Sequence, residues 1–169
     1  TISKDTTMPN NNDSITFLSD DKSVLLIRSF NDDGDRWRKL SLFQTGNKSF
    51  YTIKTTLNLF TNEPIIVNIA EGVFDVISIY KHFDDGNSAY IATLGSDYIS
   101  AIEYAIAKGF IGSNINIRIY IDSDVNEKYI KNQLKKYKWI VGSISIYKNI
   151  IGKDVGVSID KIKLIEYKI

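Results

Sequence analysis

IIVNIAEGVFD, residues 65–75, decides the fold. Residues 65–70 form a run rich in β-branched Ile and Val that reads as a buried strand. Glu71 and Gly72 stand where that strand stops, and VFDVISIYKHF (73–83) then carries apolar residues at helical spacing. Downstream the rhythm repeats. AYIATL (89–94) is a strand and SDYISAIEYAIAKGF (96–110) an amphipathic helix closed by Gly109. INIRIYI (115–121) is a strand, NEKYIKNQLKKYKW (126–139) a basic-faced helix, and IVGSISIY (140–147) a fourth strand. IDKIKLIEYKI (159–169) reads as a closing helix with Ser158 as its N-cap. Alternation of this kind predicts an α/β domain: a mostly parallel sheet flanked by helices on both faces.

Working back from Pro64, the pattern is different. Residues 1–13 are polar and Asn-rich and read as a flexible lead. From 14 to 63 the segments are short and β-like: SVLLIRSF (23–30), a turn at NDDGD (31–35), then RWRKLSLFQT (36–45) as the return strand. The expected organisation is therefore a lead (1–13), a small β-rich N-terminal subdomain (14–63) and an α/β domain with a C-terminal helix (64–169).

The α/β region places carboxylates at two stations. Glu71 and Asp75 follow the first strand; Asp122 and Asp124 follow INIRIYI. In open α/β sheets, ligands bind outside the carboxyl ends of the strands. Asp122 and Asp124, two residues apart beyond a strand, point the same way in extended geometry, with Ser123 pointing elsewhere. Two carboxylates about 4 Å apart repel by roughly 4 kcal/mol at an effective dielectric of about 20, a cost that a divalent cation turns into attraction. A single Asp at a strand end is most often a turn residue or helix cap. Two acidic stations after two Ile/Val strands point instead to a metal-dependent catalytic domain.

Composition narrows the metal. The chain has 169 residues, no cysteine and one histidine, His82, which excludes disulfides, thiolate zinc sites and His-rich centres. The remaining ligands are oxygens, suited to magnesium or manganese. No apolar run approaches the roughly 20 residues of a membrane span, so no membrane partner is expected. The net charge of +1 says nothing about partners, because basic groups can be concentrated locally. The first residue is Thr1 rather than Met, which suggests a fragment of a longer polypeptide.

EGVFD (71–75), ATLGS (92–96) and IDSD (121–124), in that order, resemble the three signatures of the Toprim domain. Bacterial-type DNA primases, topoisomerases, small maturation nucleases and some repair proteins share that domain. The resemblance runs from about Pro64 to Lys153 and places the family's glutamate at Glu71, its turn glycine at Gly95 and its Asp-x-Asp at Asp122 and Asp124. It implies a magnesium site (manganese being the substitute) on Glu71, Asp122 and Asp124, with Asp75 and Asp154 in support. GKDVGV (152–157) is similar to the acidic loop of primases, with Asp154 at the first acidic position and Gly156 where a second acid is common.

The layout upstream is most like that of a primase, whose N-terminal subdomain and Toprim domain form a cleft for template and primer. In RSFNDDGDRWRKLSLFQTGNKSFYTI (28–53) and its flanks, Arg28, Arg36, Arg38, Lys39, Lys48 and Lys54 are interleaved with Trp37, Phe50 and Tyr51, a mixture suited to phosphate contact and base stacking. Lys153 joins this nucleic-acid-binding set. Against it, residues 1–63 hold eight basic and eight acidic side chains, as expected of an ordinary solvated face.

The resemblance thus implies a DNA primase catalytic fragment, a nucleotidyltransferase making RNA primers on single-stranded DNA from ribonucleoside triphosphates. Its setting would be DNA replication in the cytoplasm of a bacterial or phage-infected cell, with a replicative helicase as a further partner. The same carboxylates also suit a Toprim nuclease or RNA-maturing enzyme. Two other readings stand beside these: a degenerate Toprim module that only binds nucleic acid, and a phosphatase whose first Asp is a nucleophile. Asn126 and the late position of IDSD speak against the phosphatase.

Overall fold

The computed structural model describes residues 14–29, 36–42, 48–53, 62–95, 97–153 and 155–169, with Arg36 and Trp37 described by their backbone. The chain divides into two units, Thr1–Asn47 and Lys48–Ile169.

The first unit is an antiparallel sheet of β1 (Ser14–Leu18), β2 (Val24–Ser29) and β3 (Arg36–Ser41), in that order. β2 and β3 form the expected strand pair, with Arg28 opposite Trp37 and Ile27 opposite Arg38. The expected turn at 31–35 lies outside the described residues. β1 and β2 are joined through a polar knot in which Asp21 accepts hydrogen bonds from the Ser19 and Ser23 hydroxyls at 2.6 and 2.7 Å.

The second unit is a six-stranded mixed sheet in the order β4-β6-β5-β7-β8-β9. β5 (Ile65–Ala70), β6 (Ser88–Ala92), β7 (Gly112–Ile121) and β8 (Val141–Asn149) are mutually parallel. β4 (Tyr51–Ile53) and β9 (Leu164–Lys168) close the two edges antiparallel. β4 falls in the segment assigned from sequence to the N-terminal subdomain, but its backbone pairs with β6. The observed division therefore lies at 47/48 rather than at 63/64.

β5 is buried at every position, as befits a central parallel strand. On one face, Val67 and Ile69 pack with Ile117, Ile119, Ile144 and Ile146 under α2 (Tyr98–Ala107) and α3 (Glu127–Leu134). At about 1.5–3 kcal/mol for each fully buried Val or Ile, this layer is the main source of stability. The other face carries α1 (Val73–Phe83), whose Tyr80 ring meets Tyr90 of β6 edge-on at 5.3 Å. Farther along that face the layer is polar. Tyr120 stacks on Tyr147 at 5.1 Å, and Glu166 accepts hydrogen bonds from Ser145 and Tyr147 at 2.7 and 3.1 Å.

The expected C-terminal helix is a correction. Ile159–Lys161 form only a short 3-10 turn, and Leu164–Lys168 are a strand against β8. Ile165-Glu166-Tyr167-Lys168-Ile169 alternates with period two, placing Tyr167 and Ile169 on the core face and Glu166 and Lys168 on the other. The open edge of β8 supplies hydrogen-bond partners that an isolated helix of this length would have to find within itself.

Candidate active site at the carboxyl ends of β5 and β7

The chain leaves β5 for α1 on one face of the sheet and β7 for α3 on the other. β5 and β7 are neighbours, with Ile69 opposite Ile119. The connections thus diverge between two adjacent parallel strands, which opens a crevice at their carboxyl ends. Glu71 follows β5 and Asp122 follows β7, so the two stations flank that crevice although 50 residues of chain separate them. Both side chains are half-buried, whereas Asp124 is exposed.

The first station is held rigidly. Asp75, 9% exposed, lies in the first turn of α1, and its Oδ2 accepts the Gly72 N–H at 2.8 Å. A carboxylate there also meets the positive end of the helix dipole. A Cβ at residue 72 would stand 2.7 Å from Asp75 Oδ2, and one at residue 156 only 2.6 Å from Oδ1. Gly156, which departs from the acid common at that position in primases, is thus the residue that makes room for Asp75. The Glu71 carbonyl accepts from the Leu94 N–H at 3.0 Å and the Thr93 hydroxyl at 3.4 Å. Leu94 holds this contact at φ +54°, a conformation that strains a branched side chain by about 1–3 kcal/mol.

The second station rides on a loop. The Lys148 ammonium, reaching up from β8, donates to the Val125 carbonyl at 2.8 Å and to Glu127 at 3.4 Å. The Ser123 N–H donates to the Lys153 carbonyl at 2.7 Å. The segment after β8 therefore runs from Ser123 across to α1, where the Ser78 hydroxyl donates to the Val157 carbonyl at 3.3 Å. It straps the two stations together. Asp154 belongs to this strap but lies outside the described residues.

Tyr98, the first residue of α2, completes the arrangement. Asp97 caps the helix, accepting from the Ser100 N–H at 3.0 Å and its hydroxyl at 2.8 Å. Tyr98 is 1% exposed, and its hydroxyl has no hydrogen-bond partner. Burial, then the charges of Glu71, Asp122 and Asp75 in that order, push this hydroxyl far above the usual tyrosine range. Glu71, Asp122 and Asp75 therefore all bear on one buried phenol. The Asp122 backbone also faces the phenol oxygen, but that contact leaves the phenol's own proton without an acceptor.

Among the described residues, no three His, Asp or Glu side chains gather closely enough to cage a metal ion. Magnesium does not require such a cage. It commonly keeps several waters and is held by one or two carboxylates together with substrate phosphates. Glu71 and Asp122 fit that donor set.

The expected nucleic-acid residues are dispersed. Arg28 and Lys39 belong to one face of the first sheet, since they pair with Trp37 and Leu26, while Arg38 pairs with Ile27 and belongs to the other. Arg36 lies in β3 opposite Ser29, and Lys54 is outside the described residues. Lys48 is ion-paired with Asp97, the cap of α2. Lys153 is exposed beside Ser123. Tyr98, Lys148 and Leu94 were not singled out from sequence. Tyr98 reads there as an apolar helix position, although an aromatic side chain with a polar tip directly after a cap is a signal that could have been used.

A search of known structures returns the solved structure of the DnaG catalytic core at a TM-score of 0.54 and 16% identity, covering 85% of this chain and 47% of that one. The chain shares the fold of that core. It spans just under half of the DnaG core's length. A crystal structure of a DNA primase domain from Pseudomonas aeruginosa also matches, at a TM-score of 0.48 and 17% identity, covering 87% of this chain and 46% of that domain. No family model matches the sequence. No curated protein matches it either. Among the described residues, no helix is long and apolar enough to cross a membrane.

Proposed function

We propose that this chain is the Toprim-type catalytic part of a DNA primase, a nucleotidyltransferase that makes RNA primers on single-stranded DNA during replication in the cytoplasm. The observation that carries the reading is the meeting of Glu71 and Asp122 across the β5/β7 crevice, in a fold shared with the DnaG core. Glu71 and Asp122 hold a magnesium ion, with Asp124 reaching it from the exposed side and Asp154 adding to it from the strap. When bound, the ion neutralises triphosphate oxygens and the charge that develops as the phosphodiester forms. Asp75 fixes the turn that presents Glu71, and Lys148 and the Lys153 carbonyl fix the loop that presents Asp122. Lys153 is placed to meet a phosphate beside that loop. Arg28 and Lys39 on one face of the first sheet offer a track for the template backbone.

The test is synthesis of labelled oligoribonucleotides on single-stranded DNA with magnesium and ribonucleoside triphosphates. Primers are expected from the wild-type chain, with a loss of at least about 100-fold in Asp122→Ala, since even an outer partner of a metal ligand is worth roughly 10–100-fold. Degradation of the nucleic acid without synthesis would instead assign the same carboxylates to a nuclease.

A further inference from the structure

We infer that Tyr98 is a positioning residue of the site, its hydroxyl donating the outer hydrogen bond that orients the Glu71 carboxylate when a divalent cation binds. This rests on the cation reading proposed above and adds to it a residue that none of the three sequence signatures contains.

A phenol at 1% exposure with no partner for its proton is an unusual expense within a folded core. Its neighbours could all be apolar, and most are: Tyr98 belongs to the cluster of Ile69, Ile91, Ile102 and Ile121. Phenylalanine would fill the same space without an unsatisfied hydroxyl. The oxygen is therefore explained only by what lies at its tip. That tip is on the carboxylate side of the cluster, as the negative charges bearing on it show, with Glu71 foremost.

The backbone says why Glu71 is the partner. Thr93 and Leu94 hold the Glu71 carbonyl, and four residues after Leu94 the same turn delivers Tyr98 on the first turn of α2. The Tyr98 backbone is fixed by the Asp97 cap, so the phenol has little freedom to turn elsewhere. Glu71 follows its strand with a half-buried side chain that can still swing. A cation drawing one Glu71 oxygen into the crevice leaves the other to accept from Tyr98. Metal ligands are characteristically steadied by an outer hydrogen bond of this kind.

The experiment uses the intact chain and Tyr98→Phe, which removes one oxygen and keeps the packing. Manganese binding followed by electron paramagnetic resonance and magnesium binding followed by calorimetry give affinities independent of any activity. The expected result is about 10–100-fold weaker binding in Tyr98→Phe, with a metal-free melting temperature equal to or above that of wild type. In addition, magnesium should perturb the tyrosine near-ultraviolet spectrum of wild type, and this perturbation should disappear in the variant. Equal affinity in the two proteins would overturn the role of Tyr98 while leaving the cation site in place. A lowered metal-free melting temperature with unchanged affinity would also overturn it, by making the hydroxyl structural. If wild type binds neither cation, the cation reading fails and this inference fails with it.

Discussion

At the first acidic station the Asp75 carboxylate is wedged between two glycines and a backbone N–H, whereas at the second Asp122 and Asp124 ride on a loop pinned from below by Lys148 and from the side by the Lys153 carbonyl. The first is fixed by steric fit, the second by a few hydrogen bonds to an exposed segment. The difference teaches how four acids near one crevice divide their work. Asp75 already spends one oxygen on the fold and presses the other against Gly156, so it serves as an anchor. Glu71 and Asp122, half-buried and set on opposite sides of the crevice, are the pair free to answer a cation.

Substitutions can break or sharpen that contrast. The largest effect is expected on activity: Asp122→Asn should lower primer synthesis at least about 100-fold with little change in melting temperature, because it removes a ligand and not a fold contact. Gly156→Val should do the reverse in kind, costing about 2–3 kcal/mol of stability by overpacking against Asp75, as read from chemical denaturation. If Gly156→Val melts like wild type, the first station is not a tight fit and the contrast collapses. Lys148→Met keeps the length of the side chain but removes the pin, and should cost about 1.5 kcal/mol. It should also raise hydrogen exchange in residues 123–126 without touching those around Asp75.

The smallest effect is on acid stability. Glu127 is held below the usual carboxylate range by its own backbone N–H first and by Lys148 next. A carboxyl depressed in the folded state adds stability that is present above its unfolded value of about 4.3 and is lost as pH falls through the folded value. Melting curves between about pH 5 and 3 should therefore show a slightly shallower acid loss in Lys148→Met than in wild type.

Much of the α/β layer was legible because burial and periodicity act locally. β5, β6, β7 and β8 and the helices between them lie where Ile/Val runs and helical spacing put them, and Asp97 and Gly109 cap and close α2 as read. The two ends of the larger unit were less legible, because edge strands are decided by a neighbour. Tyr51–Ile53 is a strand because β6 offers it an edge, and Leu164–Lys168 is one because β8 does. The alternation in Ile165–Ile169 was present in the sequence but was outweighed by the helical reading of the longer window. The basic set was legible only as a list of residues. Which face each occupies depends on the register of β2 against β3, which no spacing within one strand reveals.

The sequence by itself determined that carboxylates follow two buried strands in a strand–helix alternation, since strand ends and helix starts are set by each segment's own residues. Only the tertiary structure decided that those strands are neighbours, because strand order depends on how helices cross the sheet. It alone brought Gly156 against Asp75 and set the Tyr98 phenol among the acids. Contacts between residues 80 and 30 positions apart are fixed by packing of the whole sheet, not by any local pattern.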